Sequence, residues 1–96
     1  MTRLSRHLVY SSRGMICSNS PLAASAGLKV FQEGGNAFDA ALAVAATEAV
    51  TLVPACGLGG DAFILLYDAA AGTITGINSS GAAATGATAA YYRAQG

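Results

Sequence analysis

The chain has 96 residues, a formal net charge of zero and a charged fraction of only 10%. Ordinary soluble domains are about 25% charged and about 100 to 200 residues long, so this chain has few charges with which to cover a small domain. Although 53% of its residues are hydrophobic, many are alanines, which remove little surface from water when buried. We therefore interpret the chain as a segment whose faces are covered by further protein. The balanced charge does not indicate the clustered basic surface that nucleic-acid binding needs, so no nucleic-acid partner is expected.

The start of the chain does not resemble an export signal. Residues 1–13 carry Arg3, Arg6 and Arg13 and predict a solvated N-terminal arm, in which His7 is an exposed residue rather than a base. The apolar run at residues 8–10 is shorter than the h-region of a signal peptide, about 7 to 15 residues. No run reaches the about 20 apolar residues that span a bilayer. With Met1 as the start, the expected compartment is the cytoplasm, and no membrane partner is expected.

Cys17 and Cys56 are the only cysteines. Together with the single histidine they cannot supply the about four ligands of a structural zinc site, so no metal is predicted. Two buried, reduced thiols are expected. A disulfide stays open as an alternative for an oxidising compartment.

The first predicted elements are a short strand and a helix. Residues 15–17 form a brief apolar run before a polar segment, which predicts a buried strand. A helix follows because Ser20 can cap it and Pro21 suits the first helical position, where no N–H is needed. Gly34 and Gly35 end this helix. Its predicted apolar stripe consists of residues four apart with two flanking residues, namely Leu22, Ala26 and Val30 beside Ala23 and Phe31.

A second helix is predicted from residue 37 to residue 50. Asn36 can cap it, and Asp39 lies three residues on, where its charge favours the positive end of the helix dipole. Within residues 37–50, Glu48 is the only charge after Asp39. A helix that is apolar almost all round is typically buried, so we expect this one to be an inner helix of a layered α/β structure.

A β-hairpin is predicted after the second helix, with strands at residues 62–67 and 73–78 and a turn at 68–72. The remaining residues have no strong period until Tyr91, where a helix can begin. The predicted fold class is α/β in the coarse order β-α-α-β-β. No linker signal divides the chain, so residues 14–96 are expected to form one unit behind the arm of residues 1–13.

The segment Gly-Leu-Gly-Gly at residues 57–60 has two possible interpretations, a phosphate-binding loop and a structural turn. A dinucleotide fingerprint requires G-x-G-x-x-G between a strand and the helix that follows it. Here the order is helix, glycines, strand, and no Lys-Ser or Lys-Thr follows. We therefore predict a turn in which Gly57, Gly59 and Gly60 take positive φ and allow close backbone approach. Asp61 is expected to brace this turn through backbone N–H groups.

Three stretches in order, GMICSNSPLAASAG, GGNAFDAALA and CGLGGDAF, resemble the opening of the large chain of the γ-glutamyltransferase (γ-glutamyltranspeptidase) family. The resemblance covers about residues 14–88. It implies an N-terminal-nucleophile hydrolase fold, an αββα sandwich of two sheets between helical layers. It also implies a precursor that cleaves itself and exposes a threonine, whose own α-amino group acts as base for its hydroxyl.

The resemblance also implies a reaction and a partner. The threonine attacks the γ-glutamyl amide of glutathione or a related donor, and the acyl group passes to water or an amino acid without a metal or organic cofactor. In the family this threonine lies in a small-subunit segment that corresponds to sequence beyond Gly96. The resemblance therefore implies that this chain supplies scaffold and one wall of the pocket, with no catalytic residue of its own.

One departure from the family bears on the donor. The family places an arginine against the α-carboxylate of the donor, and alignment puts Ser80 at that position and Asn78 at a neighbouring acid. A serine cannot form the bidentate, charge-assisted pair that a guanidinium forms with a carboxylate. Ser79 and Ser80 are the predicted substrate-binding residues, and other acyl amides are an alternative to glutathione-like donors. For the chain as a whole, the alternative is a non-catalytic remnant or a small structural protein that binds a partner.

Overall fold

The computed structural model describes residues 7–96. Arg3 and Arg6 of the predicted arm lie outside the described residues. The chain divides into two compact units, which we call unit 1 (Met1–Leu58) and unit 2 (Gly59–Gly96). The boundary between the two units lies within the glycine segment at residues 57–60. The elements in chain order are α1 (Pro21–Gln32), α2 (Ala37–Thr51), β1 (Phe63–Asp68), β2 (Thr73–Asn78) and α3 (Ala89–Gln95).

Helix α1 begins and ends where its capping residues predict. The Ser20 hydroxyl oxygen accepts a hydrogen bond from the backbone N–H of Ala23 at 3.3 Å, and Pro21 is the first helical residue. At the other end Gly34 has a φ of +91°, a left-handed conformation that glycine adopts without steric cost. The next amide, of Gly35, donates to the Val30 carbonyl at 2.9 Å. Local sequence signals therefore define both ends of α1.

Helix α2 opens with a reciprocal capping box. The side-chain oxygen of Asn36 accepts from the amides of Phe38 and Asp39, and the Asp39 carboxylate accepts from the Asn36 amide at 3.0 Å. These bonds satisfy donors that the first helical turn otherwise leaves unpaired. The predicted start is confirmed, and the helix extends one residue beyond the predicted end.

The core of unit 1 is the contact between α1 and α2, and it is built from small residues. Ala23, Gly27 and Ala40 are buried. A Cβ added at Gly27 would lie 2.7 Å from both Ile16 Cδ1 and Val44 Cγ2, so a side chain there would force these neighbours to shift. The prediction that Leu22 lies on the packed stripe is wrong, because Leu22 is 67% exposed. The close approach of the helices favours the small residues Ala23 and Gly27, and these are buried instead.

Three further expectations for unit 1 are wrong. Helix α2 is not buried on all sides, since Leu42 and Val50 are 72% and 75% exposed and α1 covers only one side of it. Residues 15–17 do not form a strand, because a strand requires a neighbouring strand with which to exchange hydrogen bonds. Cys17 and Cys56 are free cysteines, and both are exposed rather than buried.

Unit 2 contains an antiparallel hairpin in the predicted place. Strands β1 and β2 pair in a register that sets Phe63 opposite Asn78 and Asp68 opposite Thr73. The Asp68 carboxylate accepts from the amides of Ala70 and Ala71 in the turn. Gly72 has a φ of +64° and completes the turn. The hairpin prediction is confirmed, and helix α3 begins two residues before Tyr91.

The glycine segment at residues 57–60 turns without special backbone conformations. The described residues with positive φ are Gly34, Gly72 and Gly96, so none belongs to this segment. A Cβ added at Gly57 or Gly59 would meet no atom within 4 Å. The expectation of positive φ and close backbone approach at these glycines is therefore wrong. The chain turns at residues 58–59 and bends at Gly60 by ordinary conformations.

Within residues 7–96, no helix has the length and apolar character needed to cross a bilayer. The same part of the chain has no cluster of three or more His, Cys, Asp or Glu side chains placed to hold a metal ion.

Candidate functional site

Asp61 connects the start of β1 to the residues that follow β2. Its Oδ1 accepts from the backbone amide of Gly81 at 3.1 Å, and its Oδ2 accepts from the Ser80 hydroxyl at 3.4 Å. Asp61 lies two residues before β1 and Ser80 two residues after β2, and antiparallel pairing brings these points together. The carboxylate thus braces the segment beyond β2 and not the glycine turn that the sequence suggested.

The two serines predicted to bind substrate occupy different positions in this cluster. The Ser79 amide donates to the Ala62 carbonyl at 2.8 Å and extends the hairpin by one bond. The Ser80 amide donates to the side-chain oxygen of Asn78 at 3.0 Å, an Asx turn that bends the chain away from the strand. Ser80 is therefore held through both its main chain and its hydroxyl. We call Asp61, Asn78, Ser80 and Gly81 the hairpin-end cluster.

The hairpin-end cluster is polar, exposed and negatively charged. All its residues are open to solvent. The Ser80 hydroxyl lies 3.4 Å from Asp61 Oδ2, a long contact, and as a hydroxyl it can both donate and accept hydrogen bonds. The glycines at 57–60 precede the cluster in the chain and take no part in these bonds. Chemically, the cluster can hold a hydrogen-bond donor but contains neither a nucleophile with its base nor a cation.

A second polar cluster lies in unit 1 and was not predicted. The Ser18 hydroxyl donates to Glu48 Oε1 at 2.5 Å, and the Thr51 hydroxyl lies 3.0 Å from Ser20 Oγ. Ser20 is buried, with 4% of its surface exposed. These bonds join the segment before α1 to the last turns of α2. The available signal was the presence of Glu48 and Thr51 on one face of an otherwise apolar helix.

An apolar groove runs between residues 15–17 and α2. Its walls include Met15, Ile16, Ala40 and Val44, with Glu48 at one end. This groove and the exposed Leu42 and Val50 leave unit 1 with unpartnered apolar surface.

The comparisons with known proteins agree with one another. Residues 23–96 match the family model described as Gamma-glutamyltranspeptidase. The chain is 38% identical over 85 residues to the glutathione hydrolase-like YwrD proenzyme of Bacillus subtilis (strain 168), and 39% identical over 85 residues to the oxamate amidohydrolase proenzyme of Klebsiella pneumoniae subsp. pneumoniae. Each alignment covers 88% of this chain.

A solved structure shares the fold. It is a gamma-glutamyltranspeptidase from Pseudomonas nitroreducens complexed with L-DON, with a TM-score of 0.77 and 31% sequence identity over 86% of this chain. The helices and the two-stranded sheet thus correspond to a fragment of that fold. The chain spans 16% of the length of the two curated relatives and 24% of the solved chain.

Proposed function

Because the chain belongs to the gamma-glutamyltranspeptidase family, we propose that it forms the N-terminal part of an N-terminal-nucleophile amidohydrolase or acyltransferase. The proposed reaction transfers a γ-glutamyl or other acyl group from an amide donor to water or an amino acid. The observation that carries the proposal is the family match over residues 23–96, which includes the GGNAFDAALA and CGLGGDAF stretches. Gamma-glutamyl transfer or hydrolysis is the activity associated with the family.

The nucleophile is proposed to be a threonine on a small-subunit segment outside residues 1–96. The names of the relatives support this division, because both are proenzymes. In the proposed assembly, residues 14–96 belong to an αββα sandwich behind an arm of residues 1–13. Further protein would cover the apolar groove of unit 1, which supports the proposal because exposed apolar surfaces of this kind typically mark interaction sites.

Ser79 and Ser80 are proposed to form one wall of the donor pocket. Ser80 is the better placed of the two, because its main chain and its hydroxyl are both held by neighbouring side chains. The donor itself is proposed only as an acyl amide. The names of the two curated relatives point to different amides, glutathione and oxamate, so a test of function must include both.

The proposal is tested on the complete gene product. After purification, mass spectrometry is expected to detect two chains produced by self-cleavage, with threonine at the new N-terminus. The processed protein is then assayed with γ-glutamyl 4-nitroanilide, glutathione, oxamate and a set of neutral acyl anilides. Release of the amine from at least one of these amides is the expected result.

Asp68→Asn provides a control for non-specific effects. This substitution is expected to leave turnover unchanged, because Asp68 lies at the opposite end of the hairpin from Ser80. An uncleaved product without turnover of any amide would contradict the proposal. That result would favour a non-catalytic protein that uses its exposed apolar surface to bind a partner.

A further inference from the structure

We draw no further inference here: the strongest candidate, the apolar groove between residues 15–17 and α2 with Glu48 at one end, is an unpartnered apolar face, and nothing in the structure shows what covers it.

Discussion

Units 1 and 2 are ordered by different interactions. In unit 1, α1 and α2 meet along small residues, and Ala23, Gly27 and Ala40 are buried between them. In unit 2, the chain is ordered by main-chain pairing of β1 with β2 and by side chains that accept from backbone amides at both ends of the hairpin. The structure describes every residue of unit 2, and none of them is buried.

The comparison shows that a sequence can form regular secondary structure without forming a buried core. An isolated two-stranded hairpin is at best marginally stable in water, and the exposed apolar side chains of unit 2 add nothing while they remain in solvent. Unit 1 gains stability from a side-chain contact. The following substitutions, measured by urea unfolding of the complete gene product, test whether each unit depends on the interactions described for it.

The largest effect is expected from Gly27→Val, which attacks the helix contact of unit 1. A Cβ at this position lies 2.7 Å from Ile16 and Val44 side-chain atoms, so the residues packed around it must shift. Overpacking of this kind costs about 1 to 3 kcal/mol of unfolding free energy. Ser25→Val places the same side chain at an exposed position of the same helix and should cost much less. Equal stability of the two variants would show that the helices do not meet at Gly27.

A smaller loss is expected from Gly72→Ala, which attacks the turn of unit 2. Gly72 has a φ of +64°, and a left-handed conformation costs an L-residue roughly 1 to 2 kcal/mol. Gly72→Asn is the matched control, since asparagine adopts this conformation more readily than alanine does. If the alanine and asparagine variants are equally stable, the backbone conformation of Gly72 does not limit the stability of the hairpin.

Asn36→Ala should destabilise the protein by about 1 kcal/mol, because it removes the side-chain acceptor of the α2 capping box. Asn36→Ser retains an acceptor and should preserve most of the stability. Unit 2 contains a similar local interaction, in which the Asp68 carboxylate accepts from two amides of the hairpin turn. The substitution therefore tests how much unit 1 depends on local hydrogen bonds in addition to its helix contact. A loss equal in the two variants would contradict a capping role.

The smallest effect is expected from Gly57→Ala. Gly57 has no positive φ, and an added Cβ meets no atom within 4 Å, so the unfolding free energy should change by no more than about 0.5 kcal/mol. A loss as large as that of Gly72→Ala would show that the glycine segment requires glycine after all.

Local structure could be predicted from the sequence wherever a short stretch determines it. Ser20 and Pro21 placed the start of α1, Asn36 and Asp39 the start of α2, and the β-prone runs around Gly72 the hairpin. These signals involve hydrogen bonds and backbone conformations within a few residues, so a single sequence contains all the information that they need.

Contacts between distant residues could not be predicted in the same way. Periodicity placed Leu22 on the packed stripe of α1, but it carries no information on how closely α2 approaches, and the close approach selects Gly27 instead. The contact between Asp61 and Ser80 depends on the hairpin register, which becomes definite only when the strands pair. The expected strand at residues 15–17 failed for a related reason, since an apolar run does not supply its own pairing partner.

The hydrogen bonds of Ser18 and Ser20 with α2 have a consequence for the order of folding. They connect residues 30 and 31 positions apart, so the loop between them must close before either bond can form, at an entropic cost that grows with loop length. Helix turns form within about a microsecond. The capping bonds of α1 and α2 join residues only two or three positions apart, so they need no long loop to close. The segment before α1 should therefore dock last and detach first. In native-state hydrogen exchange, the Ser20 amide should lose its protection before the amides in the middle of α2 do.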